Sequence, residues 1–439
     1  MIFENLQTKR HFISGKVVVG IDPARDKHQV AIIDADGIAI CKPFTCKPDA
    51  DGFNKLFEQL KMLEPGCNPQ TCVFAIERSC NFWQTLAHYV HGPGYTVLLV
   101  SPVTTKRSRP FFNHDFSKTD PKDALLVASN AQSGYFDFFR DFSDQVRAMH
   151  QLSLTYDKLR KNLVQNKQRL RDQVQLVFPE FLSVIDSDID TAKCLLHDYF
   201  LPRHYLKLDV DKVAGQMESV SRKQHGKKTL DKLIALAQNS VGIPVAEELE
   251  TAMRLTIRCW ITMIETVQAQ MKVVITQLIA WAKQTPYFGI LTSLKGISEL
   301  MASFFIAETR EPAAFGHYRQ VEKYAGFNLR KNQSGNYIGQ RHISHIGNHR
   351  LAWAIYKMTE ETVRYIPEVR MKFLRRQLKQ PQYRKNIVAT SSHLLKLIVA
   401  LISQNRAYQW DPDNVRALEV LQKQYEEKKA RKKSYSLMI

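Results

Sequence analysis

The chain has 439 residues, 44% of them hydrophobic, so it can bury real cores and is not a disordered chain. Lys and Arg exceed Asp and Glu by 19 and the pI is about 9.5, a balance that favours a polyanionic partner such as DNA, RNA or an anionic membrane surface. No stretch approaches the ~20 apolar residues that span a bilayer, and the N-terminus lacks the apolar core of a signal peptide. A cytoplasmic protein without a membrane partner is therefore expected.

The seven cysteines are odd in number and form no C-x-x-C pair, which reads as reduced core thiols and no zinc site. At roughly 150 residues per domain, the length suggests about three units. The first is expected over residues 12–140. Lys16 to Ile21 is a β-branched run ending in Asp22. His28 to Ile33 is a second strand, and the turn Asp34-Ala35-Asp36-Gly37 leads into a third at Ile38 to Phe44. Phe53, Leu56, Phe57, Leu60 and Leu63 mark one face of a helix that Pro65-Gly66 stops. Cys72 to Ile76 is a fourth strand, ending at Glu77. Phe82 to Val90 reads as helix, Tyr95 to Val100 as a fifth strand, and Pro121 to Gln132 as a last helix. A hairpin meander followed by alternating units implies a mixed sheet with helices on its faces. That order resembles the ribonuclease H-like (RuvC-like) fold.

Asp22, Glu77, Asp120 and Asp123 fall at strand ends and at the start of the last helix. Mg²⁺ and Mn²⁺ prefer oxygen ligands, and phosphoryl transfer profits from two ions roughly 3.5–4 Å apart. Several carboxylates are needed to hold two dications, so these four are the candidate metal set. Each also has a plainer reading. Asp22 can cap the turn after its strand, and Glu77 can pair with Arg78. Asp120 can be the N-cap before Pro121, leaving Asp123 at N3, where the helix dipole welcomes a carboxylate.

Over residues 141–285 the period changes to heptads. Met149, Leu152, Tyr156, Leu159, Leu163, Asn166 and Leu170 follow it, as do Leu249, Met253, Trp260, Ile264, Val267, Met271, Val274, Leu278 and Trp281. Two long coiled-coil helices are expected, pairing with each other or across a dimer. Lys158, Arg160, Lys161, Lys167, Arg169 and Arg171 give the first a basic outer face, either solvated or bound to phosphate backbone. A polar, mostly helical insertion spans residues 187–240, with an exposed loop at Arg222 to Lys228.

Residues 286–410 are expected to be mainly helical. Leu291 to Ser298 reads as a helix-hairpin-helix or as an ordinary helix-turn-helix. A basic, glycine-rich loop runs from Tyr324 to Arg350 and carries Ser334, in ordinary turn chemistry on composition alone. Residues 411–439 read as a frayed basic tail.

Gly20-Ile21-Asp22, Ile76-Glu77, Lys118-Thr119-Asp120-Pro121-Lys122-Asp123-Ala124, Lys295-Gly296-Ile297-Ser298, Tyr324-Ala325-Gly326, Gln333-Ser334-Gly335, the Arg341-to-Arg350 loop and Asn386-Ile387-Val388-Ala389 occur in one order. Together they resemble the insertion-sequence one-ten transposases and their relatives, the Piv DNA invertases. The chain departs from them at Pro23 to Asp26 and at Arg78 to Cys80.

The resemblance implies that Asp22, Glu77, Asp120 and Asp123 bind Mg²⁺ or Mn²⁺ and that Ser334 is a nucleophile forming a phosphoserine link to DNA. It also implies donor and target DNA as substrates, a bridge RNA as guide, and dimers that join into tetramers. Metal held by the acids is expected to activate Ser334 or stabilise the leaving oxygen, because no His-Asp pair is evident beside the serine. Lys118, Lys295, Arg330, Lys331 and Arg341 are expected to contact nucleic acid. Two other readings are a hydrolytic junction resolvase-like nuclease with the same acids and a non-enzymatic nucleic-acid-binding protein.

Overall fold

The computed structural model describes residues 5–111, 117–330, 333–334, 337–339 and 342–436. It divides into two units, residues 1–143 and residues 144–439. Lys331 and Arg341 lie outside the described residues.

Unit 1 is a six-stranded sheet with helices. Its elements are α1 (Leu6–Ile13), β1 (Val17–Asp22), β2 (His28–Ile33), β3 (Phe44–Cys46), α2 (Ala50–Leu63), β4 (Cys72–Glu77), α3 (Phe82–His91), β5 (Thr96–Val100), α4 (Pro102–Ser108), α5 (Asp120–Gln132) and β6 (Asp137–Phe138). The strand order is β3-β2-β1-β4-β5-β6. β1 is antiparallel to β2 and parallel to β4, β4 is parallel to β5, and β6 closes the edge antiparallel. β1, β2 and β4 are buried without alternation, and apolar save for His28, Gln29 and the terminal Asp22 and Glu77, because both faces of the sheet centre are covered. One face packs Phe53, Leu56 and Leu60 of α2 and Leu86 and Val90 of α3. The other packs Val127, Ala128 and Ala131 of α5.

The third strand falls later than expected. Ile38 is 65% exposed, and only an isolated bridge from Ala39 to Ile33 forms before β3 at Phe44–Cys46. The Asp34 turn reaches further than a two-residue hairpin, because the Asp34 side chain accepts from the Asp36 and Ile38 amides. Cys46, Cys67 and Cys72 are buried thiols as expected, whereas Cys80 and Cys259 are exposed.

Unit 2 is almost wholly helical: α6 (Asp144–Val177), α7 (Phe181–Val184), α8 (Asp190–Asp198), α9 (Pro202–Tyr205), α10 (Val210–Ser221), α11 (Lys227–Ala237), α12 (Glu247–Ala282), α13 (Pro286–Thr292), α14 (Glu299–Thr309), α15 (Tyr318–Ala325), α16 (His349–Tyr365), α17 (Pro367–Lys379), α18 (Tyr383–Ser403) and α19 (Pro412–Ser436). Four two-residue strands, β7 (Leu329–Arg330), β8 (Gln333–Ser334), β9 (Tyr337–Ile338) and β10 (His342–Ile343), lie between α15 and α16. The long helices α6 and α12 pair with each other antiparallel. Gln145 meets Gln284 at one end, and the Arg169 guanidinium lies 4.9 Å from the Trp260 ring further along.

The insertion is not simply polar. Phe178, Phe181, Phe200, Tyr205, Met217, Leu230 and Leu233 form a core that continues into Leu170 and Val174 of α6 and Ile257 and Ile264 of α12. Its helices are short and separated by polar turns, which hid this core in the sequence. The basic face of α6 is largely engaged at home. Arg160 and Lys161 pair with Asp157, and Lys167 pairs with Asp188.

α18, 21 residues long with an 18-residue window of mean hydropathy 1.5, is by length and composition the one helix among the described residues that could cross a membrane, although Arg384, Lys385, His393 and Lys396 interrupt its apolar run. Its Ile387, Leu394, Leu395, Ile398 and Leu401 are buried among the helices of unit 2, as in the core helix of a globular bundle. The tail is not frayed through residue 436 but forms α19, packed on α17, with Asn414 donating to Glu368.

Candidate active site

The acids of unit 1 are brought together by one close contact. Gly20 sits in β1 under α5, and a Cβ there would lie 2.5 Å from the Ala124 carbonyl oxygen and 2.6 Å from the Ala128 amide nitrogen. Only glycine lets the helix lie directly on the strand. That sets the first turn of α5, which carries Asp120 and Asp123, over the C-terminal end of β1, where Asp22 sits. The parallel register pairs Ile21 with Ile76, so the next residues, Asp22 and Glu77, end adjacent strands side by side. Carboxyl ends of parallel strands are where open α/β sheets place their sites.

The electrostatics report this convergence. The Asp22 carboxyl is pushed up to about 7, first by burial and then by the charges of Glu77, Asp123 and Asp120, with Lys118 opposing. Glu77 is also raised, chiefly by burial, with Asp123 adding and Arg109 and Lys118 opposing. Thr105 of α4 faces Glu77 and lowers its pKa, though its buried hydroxyl falls short of regular hydrogen-bond geometry.

The plainer readings of these acids are mostly not realised. Thr119 is the N-cap of α5, not Asp120, and no side chain caps that end. Asp120 is the first helical residue because Thr119 is extended and already accepts the Asp123 amide through its carbonyl. Glu77 forms no ion pair with Arg78 among the described residues. Asp22, Glu77 and Asp120 likewise take part in no salt bridge there.

Asp123 differs. It is 3% exposed, and Arg109 grips both its oxygens: Nε donates to Oδ1 at 3.1 Å, and Nη2 to Oδ1 at 2.8 Å and to Oδ2 at 2.9 Å. Among the described residues no three His, Cys, Asp or Glu side chains stand close enough to share one ion. The donor set nonetheless fits a hard divalent cation in kind: only carboxylate oxygens, an excess of negative charge, and three of four acids with no ion pair among the described residues.

Arg109, Thr105 and His28 were not picked out from the sequence. His28 is 1% exposed and accepts the Ala24 amide through Nδ1 at 3.2 Å, fixing the turn that follows Asp22. A polar residue opening an otherwise apolar strand was the available signal.

In unit 2, Ser334 lies in β8, its backbone paired with Tyr337 of β9. The Ser334 side chain lies outside the described part of the structure. The base of this loop is tightly built. A Cβ on Gly347 would lie 2.4 Å from the Gly326 nitrogen, and the Asn348 amide donates to the Tyr324 carbonyl at 2.7 Å. Beneath it, the fully buried Glu308 accepts from Arg350 Nε at 2.8 Å, from Asn348 Nδ2 at 2.6 Å and from the Ser153 hydroxyl. Hydrogen bonds from Arg350 and Ser153, with the Arg350 charge, hold its carboxyl below the usual range despite burial. An acid closing the largely apolar run Leu300 to Ala307 is the sequence signal for Glu308.

Of the expected nucleic-acid contacts, Lys118 is exposed beside the acids and Arg330 is exposed on β7, paired with His342 of β10. Lys295 lies over the Tyr365 ring at 5.2 Å. Gly296, at φ +104°, packs against the Glu361–Thr362 backbone, so its turn serves helix packing. An open groove of about 450 Å³ on the α6–α12 pair, lined by Asn166, Arg169, Thr266 and Gln270, contains none of the candidate site residues.

Residues 19–179 match the DEDD domain model of IS110 elements, described as a transposase, and residues 289–373 match the model described as transposase, IS116/IS110/IS902 family. The chain is thus a transposase, acting on DNA. It belongs to the IS110 family: both models are of that family, and together they cover just over half of its length. No curated protein matches the chain.

Proposed function

We propose that this transposase cleaves and rejoins DNA through a serine-linked phosphodiester, using a divalent metal held by Asp22, Glu77, Asp120 and Asp123. The observation that carries the metal half is the convergence of Asp22, Glu77, Asp120 and Asp123 at the ends of β1 and β4 and the first turn of α5, where burial and then the charges of the other three push the Asp22 carboxyl up to about 7. A sheet in the order β3-β2-β1-β4-β5, with β2 antiparallel to its neighbours, supports a ribonuclease H-like (RuvC-like) framework. Mg²⁺ or Mn²⁺ bound there supplies positive charge to an oxygen of the scissile phosphodiester.

The nucleophile half rests on Ser334 in the loop rooted on Glu308. Its Oγ gives up the hydroxyl proton to solvent as it forms the new bond to phosphorus. The bond to one strand oxygen breaks, and that oxygen leaves with the electron pair and takes up a proton. Rejoining runs the same exchange backwards with a different strand end. Lys118, Lys295, Arg330, Lys331 and Arg341 offer cations to phosphate backbone. A net charge of +19 suits a complex that holds donor DNA, target DNA and a bridge RNA at once, assembled on a dimer or tetramer of the chain in the prokaryotic cytoplasm.

The test is cleavage of a nicked DNA carrying the element's ends, with and without Mg²⁺. Glu77→Gln and Asp120→Asn are expected to lose at least about 100-fold in rate, as when a group that stabilises transition-state charge is removed. Full-rate cleavage by both variants contradicts the metal site. Cleavage without a covalent protein–DNA adduct would assign the protein to hydrolysis by water.

A further inference from the structure

We propose that Arg109 is a built-in counter-cation: it holds Asp123 in the metal-free protein and must release it when divalent metal binds. The inference rests on the metal-dependent reading above. Arg109 lies in a single 3₁₀ turn, Arg109–Phe111, directly after α4. α4 is tied to α5 by Asn130 Nδ2 donating to Ser108 Oγ at 2.9 Å, which sets the guanidinium over the first turn of α5.

Both Asp123 oxygens are engaged, in a pair whose side chains are 4% and 17% exposed. A dication placed among these carboxylates would face that fixed positive charge at short range in a poorly solvated place, where charges are weakly screened. The fourth acid therefore joins a metal set only as Arg109 moves off it.

The pair explains two features at once. It keeps a buried carboxylate compensated when no metal is present, and it occupies both oxygens that a metal would need from Asp123. Divalent metal and Arg109 then compete for one residue, and the metal-free and metal-loaded proteins differ in where the guanidinium lies.

The test is Mn²⁺ binding to the full chain, by titration calorimetry, with thermal unfolding in the absence of metal as a second readout. Arg109→Gln is expected to unfold at a lower temperature without metal and to bind Mn²⁺ about tenfold more tightly, the scale on which groups behind metal ligands act. Adding Asp123→Asn should cancel the gain. If Arg109→Gln does not fold, Arg109→Lys replaces it: one ammonium cannot span both oxygens, so tighter Mn²⁺ binding supports the proposal. Equal or weaker binding in the folded variant overturns it. Failure of the underlying reading looks different: Mn²⁺ then binds neither wild type nor variant, or binds without regard to Asp22→Asn and Glu77→Gln.

Discussion

Gly20 of β1 and Ala128 of α5 are in contact so close that a Cβ on Gly20 would stand 2.7 Å from the Ala128 Cβ. This contact fixes the height of α5 over the sheet, and with it the position of Asp120 and Asp123 above Asp22. Gly20→Val is expected to cost about 3 kcal/mol in unit 1, the upper part of the usual overpacking range. Urea unfolding followed through unit 1 peptides by hydrogen exchange measures it. An Ala128→Gly change in the same chain should recover part of the loss, by removing one of the three atoms met.

The acid cluster predicts an inverted pH dependence. The Asp22 carboxyl is raised in the folded state from 3.8 to about 7. Between those values the folded protein binds more protons than the unfolded one, so stability falls as pH rises through that window. Metal-free unit 1 should therefore be more stable at pH 5 than at pH 8. Asp22→Asn should flatten that slope, and saturating Mg²⁺ should restore stability at pH 8. In unit 2, His150 has the opposite sign. Burial, then Arg310, lowers it from 6.5 to about 4, so its contribution is lost as pH falls between these values. Hydrogen exchange resolved by peptide separates the two trends, and a common slope in both units would contradict them.

Much of unit 1 was legible in the sequence because its signals are local. Apolar runs ending in Asp22 and Glu77 gave β1 and β4, and the Phe53–Leu63 face gave α2. What escaped depends on contacts between distant residues. Arg109 lies 14 positions from Asp123 and meets it only because α4 folds back on α5. α4 itself is a seven-residue helix opened by Pro102, too short to show a period. Ile38 to Phe44 looked like one strand by composition; it pairs at once through the Ala39–Ile33 bridge and the Ile40 amide on the Ile32 carbonyl, but the ladder breaks at Cys41 to Pro43 and resumes only at Phe44. In unit 2 the two long helices were plain from their heptads, while the core of the insertion was spread over four short helices and their turns.

Glu308 predicts a coupling between burial and the serine loop. Removing it leaves the half-buried Arg350 and Asn348 without their partner, and breaking a fully buried ion pair costs about 3–5 kcal/mol, an upper bound here. Glu308→Ala should lose up to that much in unit 2, read by chemical unfolding, and Glu308→Gln less, because an amide oxygen still accepts from Asn348. At temperatures where Glu308→Gln stays folded, exchange of the Gly326 and Asn348 amides should rise. Unchanged protection there would show that Glu308 does not root the loop.

The most direct test of the serine-linked reading is chemical. The full chain is incubated with Mg²⁺ and a DNA substrate that loses a short strand on cleavage, and the denaturation-resistant adduct is digested and sequenced by mass spectrometry. The account predicts one modified peptide, with the nucleotide on Ser334, absent from Ser334→Ala and from Glu77→Gln. An adduct on any other residue, or one that persists undiminished in Ser334→Ala, would contradict it.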